Sequence, residues 1–278
     1  MQCLLFPGQG VQRKGMGADL FAQFPETTAL ADGILGYSIE ELCTRDPHRR
    51  LRDTQFAQPA VFVVNALLGM RRANEQPDAY RFFAGHSLGE YNALVAAGVL
   101  DFGTALRLVR RRGELMAGVT GGAMSAVQGV PAAFVERVLR ETGLSSVHVA
   151  NLNADTQTAI AGDRVEVAVA AKAIGALPGA RVVPLNVSGP FHSPLMAPVE
   201  PALRELLRAC VFADGHGTVV SSVTGAVFRP DEGAELLARQ VSTPVQWVRA
   251  VTTLRAAGVT RFDEVHGSTL TALVSRIH

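Results

Sequence analysis

Tyr80-Arg81-Phe82-Phe83-Ala84-Gly85-His86-Ser87-Leu88-Gly89-Glu90-Tyr91-Asn92-Ala93-Leu94-Val95-Ala96-Ala97 holds a serine between two glycines in the pattern G-x-S-x-G. Tyr80 to Ala84 read as a short buried strand. Glu90 to Ala97 read as a helix with Tyr91, Leu94 and Val95 on one face. Strand, tight turn and helix form the context of a nucleophile elbow. The glycines let neighbouring backbone crowd the turn, and the serine hydroxyl is pushed out at the strand end. The new helix aims its first amides at any anion formed there. The pattern alone also describes an ordinary strand-to-helix turn; the two flanks favour a nucleophile at Ser87.

Outward from this point the chain alternates strands and helices. Gln2–Phe6 reads as a strand running into Pro7-Gly8-Gln9-Gly10, which is either a plain turn or a loop with amides free to face an anion. Helical patterns cover Ala18–Phe24, Pro25–Leu35 and Ile39–Cys43. Thr54–Met70 is apolar nearly all round and reads as a buried helix beginning near Pro59.

The middle has another rhythm. Strand Met124–Val130, helix Ala132–Thr142, strands Val147–Leu152 and Thr158–Ala161, helix Val165–Ile174 and strand Arg181–Val187 give the order βαββαβ. This ferredoxin-like arrangement would be a subdomain of residues 122–187 inserted into a core of 1–121 and 188–278. The α/β pattern then resumes with helix Met196–Cys210, strand Thr218–Ser222, helices Glu232–Gln240 and Val245–Ala257, strand Arg261–Glu264 and helix Leu270–Ile277.

With 48% hydrophobic and 18% charged residues, the chain of 278 is no disordered tail and can bury a large core. A net charge of +1 offers no electrostatic case for nucleic acid. Cys3, Cys43 and Cys210 have no metal spacing and no even framework, as in a reducing cytoplasm. The start runs directly into Cys3-Leu4-Leu5-Phe6, and no apolar run approaches membrane-spanning length. A cytoplasmic protein is expected.

A serine nucleophile needs a base. His48 and His278 lie in a polar loop and at the terminus, His86 should point away from Ser87, and His148 alternates with apolar residues in a subdomain strand. His192 lies in Ser188-Gly189-Pro190-Phe191-His192-Ser193-Pro194, where the chain re-enters the core, and is favoured over a capping or surface role. The carboxylates weighed for a third member are Asp101, Glu114, Glu136, Glu141, Asp155, Asp163 and Glu166. None has a persuasive setting, so a Ser–His dyad oriented by neutral groups is expected.

Arg112 stands apart. In the helix pattern Phe102–Met116, Ala105, Leu108, Val109, Leu115 and Met116 form an apolar stripe with Arg112 in its middle. Arg107, Arg110, Arg111 and Glu114 take the opposite face, with Arg110 and Glu114 spaced i, i+4. A buried guanidinium keeps its proton and needs a partner, either a carboxylate of the protein or one of a ligand. The sequence leaves both open.

Together, Phe6-Pro7-Gly8-Gln9-Gly10, Gln58-Pro59-Ala60, Gly85-His86-Ser87-Leu88-Gly89-Glu90-Tyr91, Arg112-Gly113-Glu114-Leu115-Met116, Asn151-Leu152-Asn153, Gly189-Pro190-Phe191-His192-Ser193, Arg239-Gln240 and Pro244-Val245-Gln246-Trp247 resemble the malonyl-CoA:acyl-carrier-protein transacylase family over essentially the whole chain. The resemblance implies an α/β-hydrolase-like core with the inserted ferredoxin-like subdomain. It makes Ser87 the acyl acceptor, His192 its base, and the amides of Gln9 and Leu88 the oxyanion hole. It pairs Arg112 with the malonyl carboxylate, orients His192 through the Gln240 carbonyl, and lines the pocket with Gln58 and Asn153. Phe191 resembles the version that selects malonyl over methylmalonyl.

The implied substrate is malonyl-CoA, the partner an acyl carrier protein, and no tightly bound cofactor is expected. Gly15-Met16-Gly17, Gly36-Tyr37-Ser38-Ile39 and Gln58 to Leu67 lean toward a free-standing acyltransferase of polyketide synthesis rather than fatty-acid synthesis. A proofreading hydrolase on the same fold is the alternative; loss of the arginine would favour it, and Arg112 is present. The chain departs from the family at Glu264-Val265-His266-Gly267-Ser268-Thr269-Leu270, one residue shorter than its glycine-rich turn. Arg71-Arg72 and Arg204 with Arg208 are the expected basic surface for an acidic carrier.

Overall fold

The computed structural model describes residues 1–278. The strands are β1 (Gln2–Phe6), β2 (Phe82–Gly85), β3 (Gly122–Gln128), β4 (His148–Ala154), β5 (Gln157–Asp163), β6 (Arg181–Pro184), β7 (Thr218–Val220) and β8 (Arg261–Glu264). The α-helices are α1 (Pro25–Leu35), α2 (Ile39–Thr44), α3 (Thr54–Glu75), α4 (Gly89–Ala96), α5 (Phe102–Ala117), α6 (Ala132–Thr142), α7 (Arg164–Gly175), α8 (Glu200–Arg208), α9 (Gly233–Arg239), α10 (Trp247–Ala256) and α11 (Thr269–Val274).

Two sheets result. One is parallel, in the order β7-β2-β1-β8, and the other antiparallel, in the order β4-β5-β3-β6. Alternation along the parallel strands divides the core. Leu4, Phe6 and Phe83 join the large cluster with Phe62, Tyr91 and Val109 from α3, α4 and α5. Cys3, Leu5, Ala84 and Val220 face Trp247, Leu254 and Leu270 on the other side. Burial on both faces is what an all-parallel sheet requires.

The antiparallel sheet packs Val127 and Ile160 against Val135, Leu139 and Ile174 of α6 and α7. Its other face lends Met124, Ala150, Ala159 and Ala161 to the main core. β4 carries irregularities between Val149 and Asn151 and between Leu152 and Ala154. There it turns its backbone to Val245: the Leu152 amide donates to the Val245 carbonyl and the Val245 amide to the Ala150 carbonyl, both at 2.9 Å.

Three expected helices differ. α3 starts at Thr54, not near Pro59, which lies inside it. Pro59 removes only one hydrogen bond in the second turn, and burial of the whole run from Ala57 to Leu67 outweighs that loss. Ala18–Phe24 is helical only as a 3-10 turn at Phe21–Gln23. Met196–Cys210 is a 3-10 turn, Pro194–Val199, followed by α8, because Pro198 and Pro201 cannot donate within one continuous helix.

Candidate active site

The parallel register pairs Phe6 with Gly85, so the loops after β1 and β2 leave the sheet side by side. The His86 amide donates to the Phe6 carbonyl at 3.0 Å, and the turn bends immediately beyond. A Cβ on Gly89 would overlap the Phe6 carbonyl oxygen, and one on Gly85 would overlap the Gly89 carbonyl. Ser87 takes φ of +53°, a strained conformation for a residue with a side chain. Crowding and strain together push its hydroxyl clear of the sheet end.

The Gly189–Ser193 loop brings His192 to Ser87. Pro190 packs on Gly122 at the start of β3, leaving no room there for a Cβ. The Ser193 hydroxyl donates to the Pro190 carbonyl at 2.6 Å, and the His192 amide donates to the Val241 carbonyl at 2.9 Å. His192 is itself held at φ +60°. Its Nε2 lies 2.7 Å from Ser87 Oγ.

The Gln240 carbonyl lies 2.8 Å from His192 Nδ1, and the Thr243 carbonyl 3.3 Å. A carbonyl only accepts, so the ring proton belongs on Nδ1 and Nε2 is free to accept from the serine. Burial, then the Arg112 charge and His86, push the His192 pKa down to about 3, against the pull of the two carbonyls. The imidazole is neutral at physiological pH. Asp101, Glu114, Glu136, Glu141, Asp155, Asp163 and Glu166 make no contact with it.

Arg112, 1% exposed, comes to Ser87 from α5. Its Nη1 donates to Gln58 Oε1 at 2.6 Å; its Nη2 donates to Ser87 Oγ at 3.0 Å and to Gln240 Oε1 at 2.9 Å. Its Nε has no partner. Of the two partners left open by the sequence, an internal carboxylate is not in contact. Its fellow arginines are solvated as expected, with Arg110 and Arg111 each 3.0 Å from Glu114.

Ser87, His192 and Arg112 open into a cleft of about 300 Å³ between the parallel sheet's carboxyl end and the antiparallel sheet. Gln9, Leu88, Gln58, Asn153 and Phe191 line it too. The Gln9 and Leu88 amides donate to no acceptor within the protein. Asn153 Oδ1 accepts from His86 Nε2 at 2.9 Å. The His86 ring packs beside Trp247 and does not touch Ser87.

A model of the acyl transferase domain matches residues 3–274. The chain belongs to the acyl transferase family. It is 42% identical to the polyketide biosynthesis malonyl CoA-acyl carrier protein transacylase PksC of Bacillus subtilis, over 98% of this chain and 96% of that protein. Among solved structures it resembles a malonyl CoA-acyl carrier protein transacylase from Burkholderia pseudomallei, with TM-score 0.96, 42% identity, and coverage of 100% of this chain and 97% of that one. It also resembles a malonyl-transacylase solved in complex with a type II polyketide synthase acyl-carrier protein, with TM-score 0.93, 36% identity, and coverage of 99% and 92%.

Two features of this acyltransferase escaped the sequence. Glu90 is missing from the carboxylates weighed above, yet it is fully buried one turn from Ser87. Its signal was a lone charge in a short helix buried from Gly89 to Leu94. Ser222, its partner at 2.6 Å, falls at the end of an expected strand, but β7 stops at Val220 and Ser222 sits in the turn after it. The expected basic surface is largely neutralised. Arg71 pairs with Asp19 at 2.8 Å, Arg72 lies 4.0 Å from Glu75, and Arg204 is 2.9 and 2.7 Å from Glu200 and Glu235. In the shortened loop, Gly267 turns at φ +83° and Glu264 accepts from the Leu270 and Thr271 amides at 2.8 and 3.0 Å, capping α11. No helix is long and apolar enough to cross a membrane.

Proposed function

We propose that this enzyme transfers malonyl from malonyl-CoA to the phosphopantetheine thiol of an acyl carrier protein through a Ser87 ester. The observation that carries the reading is a buried guanidinium, free of any carboxylate partner, 3.0 Å from the hydroxyl that His192 activates. A dyad alone suits any acyl group. A cation at the nucleophile suits an acyl group ending in a carboxylate.

Ser87 Oγ attacks the thioester carbon as its proton passes to His192 Nε2. The Gln9 and Leu88 amides take the oxyanion. The C–S bond breaks, and His192 returns the proton to the departing coenzyme A thiol. The carrier thiol then gives its proton to His192 and attacks the ester carbonyl. The tetrahedral adduct collapses, the Ser87 oxygen leaves, and His192 reprotonates it. Throughout, Arg112 grips the far carboxylate with Gln58 and Gln240 holding the guanidinium. The buried acyl group is presented to a thiol rather than to bulk water, which favours transfer over the hydrolase alternative.

Phe191 closes the acyl pocket and selects malonyl over methylmalonyl. Asn153, paired with His86, shapes the wall formed by the antiparallel sheet. The chain divides into an α/β-hydrolase-like core, residues 1–121 and 188–278, and a ferredoxin-like subdomain, residues 122–187, with the cleft between them. The strand order β4-β5-β3-β6 supports the second description. No tightly bound cofactor takes part. Three unpaired cysteines suit a cytoplasmic setting. The 42% identity to PksC supports loading of a polyketide synthase carrier.

The test follows radiolabelled malonyl-CoA with and without a holo carrier protein. Label should appear on this enzyme alone and move to the carrier when it is added. Release of label as free malonate, with none on the carrier, would refute transfer in favour of hydrolysis.

A further inference from the structure

Gln240 is the hub behind the nucleophile. Its Oε1 accepts from Arg112 Nη2 at 2.9 Å, and its Nε2 donates to Glu90 Oε2 at 2.6 Å and to the Ser87 carbonyl at 3.1 Å. Glu90 Oε2 also receives the Ser222 hydroxyl at 2.6 Å. All four side chains behind Ser87 are therefore joined: Glu90, Ser222, Gln240 and Arg112. Glu90, Gln240, Ser222 and Arg112 are each at most 1% exposed, so bulk solvent is largely kept from these bonds.

An amide has two ends of opposite polarity. Arg112 can only donate, so it needs the oxygen of Gln240. Were the amide reversed, its NH2 would face the guanidinium, and two donors would confront each other in a dry site. Something must hold the amide the right way round. A carboxylate offers acceptors alone and accepts only the NH2 end.

We infer that Glu90 is a positioning residue for substrate selection: its carboxylate fixes the orientation of the Gln240 amide, which in turn holds the Arg112 guanidinium at Ser87 for an acyl carboxylate. This deepens the malonyl-transfer reading and rests on it. Glu90 touches neither Ser87 Oγ nor His192, so its role is to act through Gln240. Burial pushes the Glu90 pKa up while Ser222 and Gln240 pull it down. In the other direction, burial works against the Arg112 charge and Glu90 supports it.

The test compares Ser87 acylation by malonyl-CoA with that by acetyl-CoA, which carries no carboxylate for Arg112 to hold. Glu90→Leu removes the acceptor. Its malonyl-to-acetyl preference should fall by at least about tenfold, the scale of one charge-assisted contact, with acetylation kept within about threefold of wild type. Glu90→Gln can still offer an oxygen to Gln240 and Ser222, and should recover to within about threefold. Unchanged preference in Glu90→Leu overturns the proposal, as does Glu90→Gln failing as badly as Glu90→Leu, which would make the role purely electrostatic.

Should Glu90→Leu not fold, Gln240→Met breaks the same chain one link later, and it should lower the preference at least about tenfold. No loss there overturns the relay equally. If the wild type takes no malonyl on Ser87, the acyltransferase reading fails instead. The position of the guanidinium in crystals of Glu90→Gln and Gln240→Met then decides the relay by itself. Contact with Ser87 Oγ kept in the first and lost in the second supports it; contact kept in both overturns it.

Discussion

The Ser87 hydroxyl accepts a hydrogen bond from Arg112 Nη2 at 3.0 Å while its proton faces His192 Nε2 at 2.7 Å. One oxygen thus ties the Arg112 charge to the His192 imidazole. Arg112→Ala should lose malonyl transfer and gain relative activity on acetyl-CoA, because the neutral acyl group leaves no carboxylate unpaired. A charge-assisted contact of about 1.5–3 kcal/mol makes the shift in preference at least about tenfold. Arg112→Lys should be impaired as well, since an ammonium lacks the planar fork that reaches Gln58 and Gln240 together. Steady-state kinetics on both donors measure this; a stable variant with unchanged malonyl preference would refute the clamp.

Gly89→Ala should abolish the elbow rather than weaken it. The added carbon would overlap the Phe6 carbonyl oxygen, so β1 and α4 would have to separate at the place where the two loops leave the sheet. Several kcal/mol of destabilisation is expected, at the upper end of about 0.5–3 kcal/mol for point changes or beyond. A denaturant titration showing wild-type stability would contradict this packing argument.

Phe191 is buried against the cleft beside His192. Phe191→Ser should open space for one more methyl group and raise methylmalonyl use relative to malonyl. One methylene in a pocket is worth about 1–3 kcal/mol, so the ratio should move by about tenfold or more. Competition between the two donors, read by mass spectrometry of the carrier, would show it, and an unchanged ratio would place selection elsewhere.

The pH dependence follows from the depressed His192 pKa, about 3. A base is active in its neutral form, and lowering the pH from 8 to 5 does not protonate an imidazole with that pKa. The kcat/KM for acylation, which reports the free enzyme, should therefore stay flat across this range. A falling acid limb centred near 6.5, where an unperturbed histidine titrates, would show that burial and Arg112 do not act on His192 as described.

Much of this arrangement was legible because its signals are local. The elbow is written in Gly85, Ser87 and Gly89, where crowding admits no side chain on either glycine. Arg112 announced itself by breaking an apolar stripe, and His192 by a Gly-Pro loop returning to the core. The separate antiparallel sheet followed from the change of rhythm near Gly122, where β3 starts. What the sequence hid is long-range pairing. Glu90 meets Gln240 across 150 residues and Ser222 across 132, and neither pairing leaves a periodic trace. Arg71 looked free because Asp19 lies far along the chain, and Arg204 because Glu235 does, although Glu200, four residues before Arg204, was within local reach. Helix ends failed at prolines, whose cost depends on burial that no local pattern records.

The most direct measurement is intact-protein mass spectrometry of the enzyme after brief exposure to malonyl-CoA, with peptide mapping of the adduct. Wild type should carry one malonyl group on Ser87, Ser87→Ala none, and addition of holo carrier protein should clear the adduct and malonylate the carrier. A malonyl group that persists on Ser87→Ala, or a Ser87 adduct that the carrier thiol never discharges, would overturn acyl transfer through this serine.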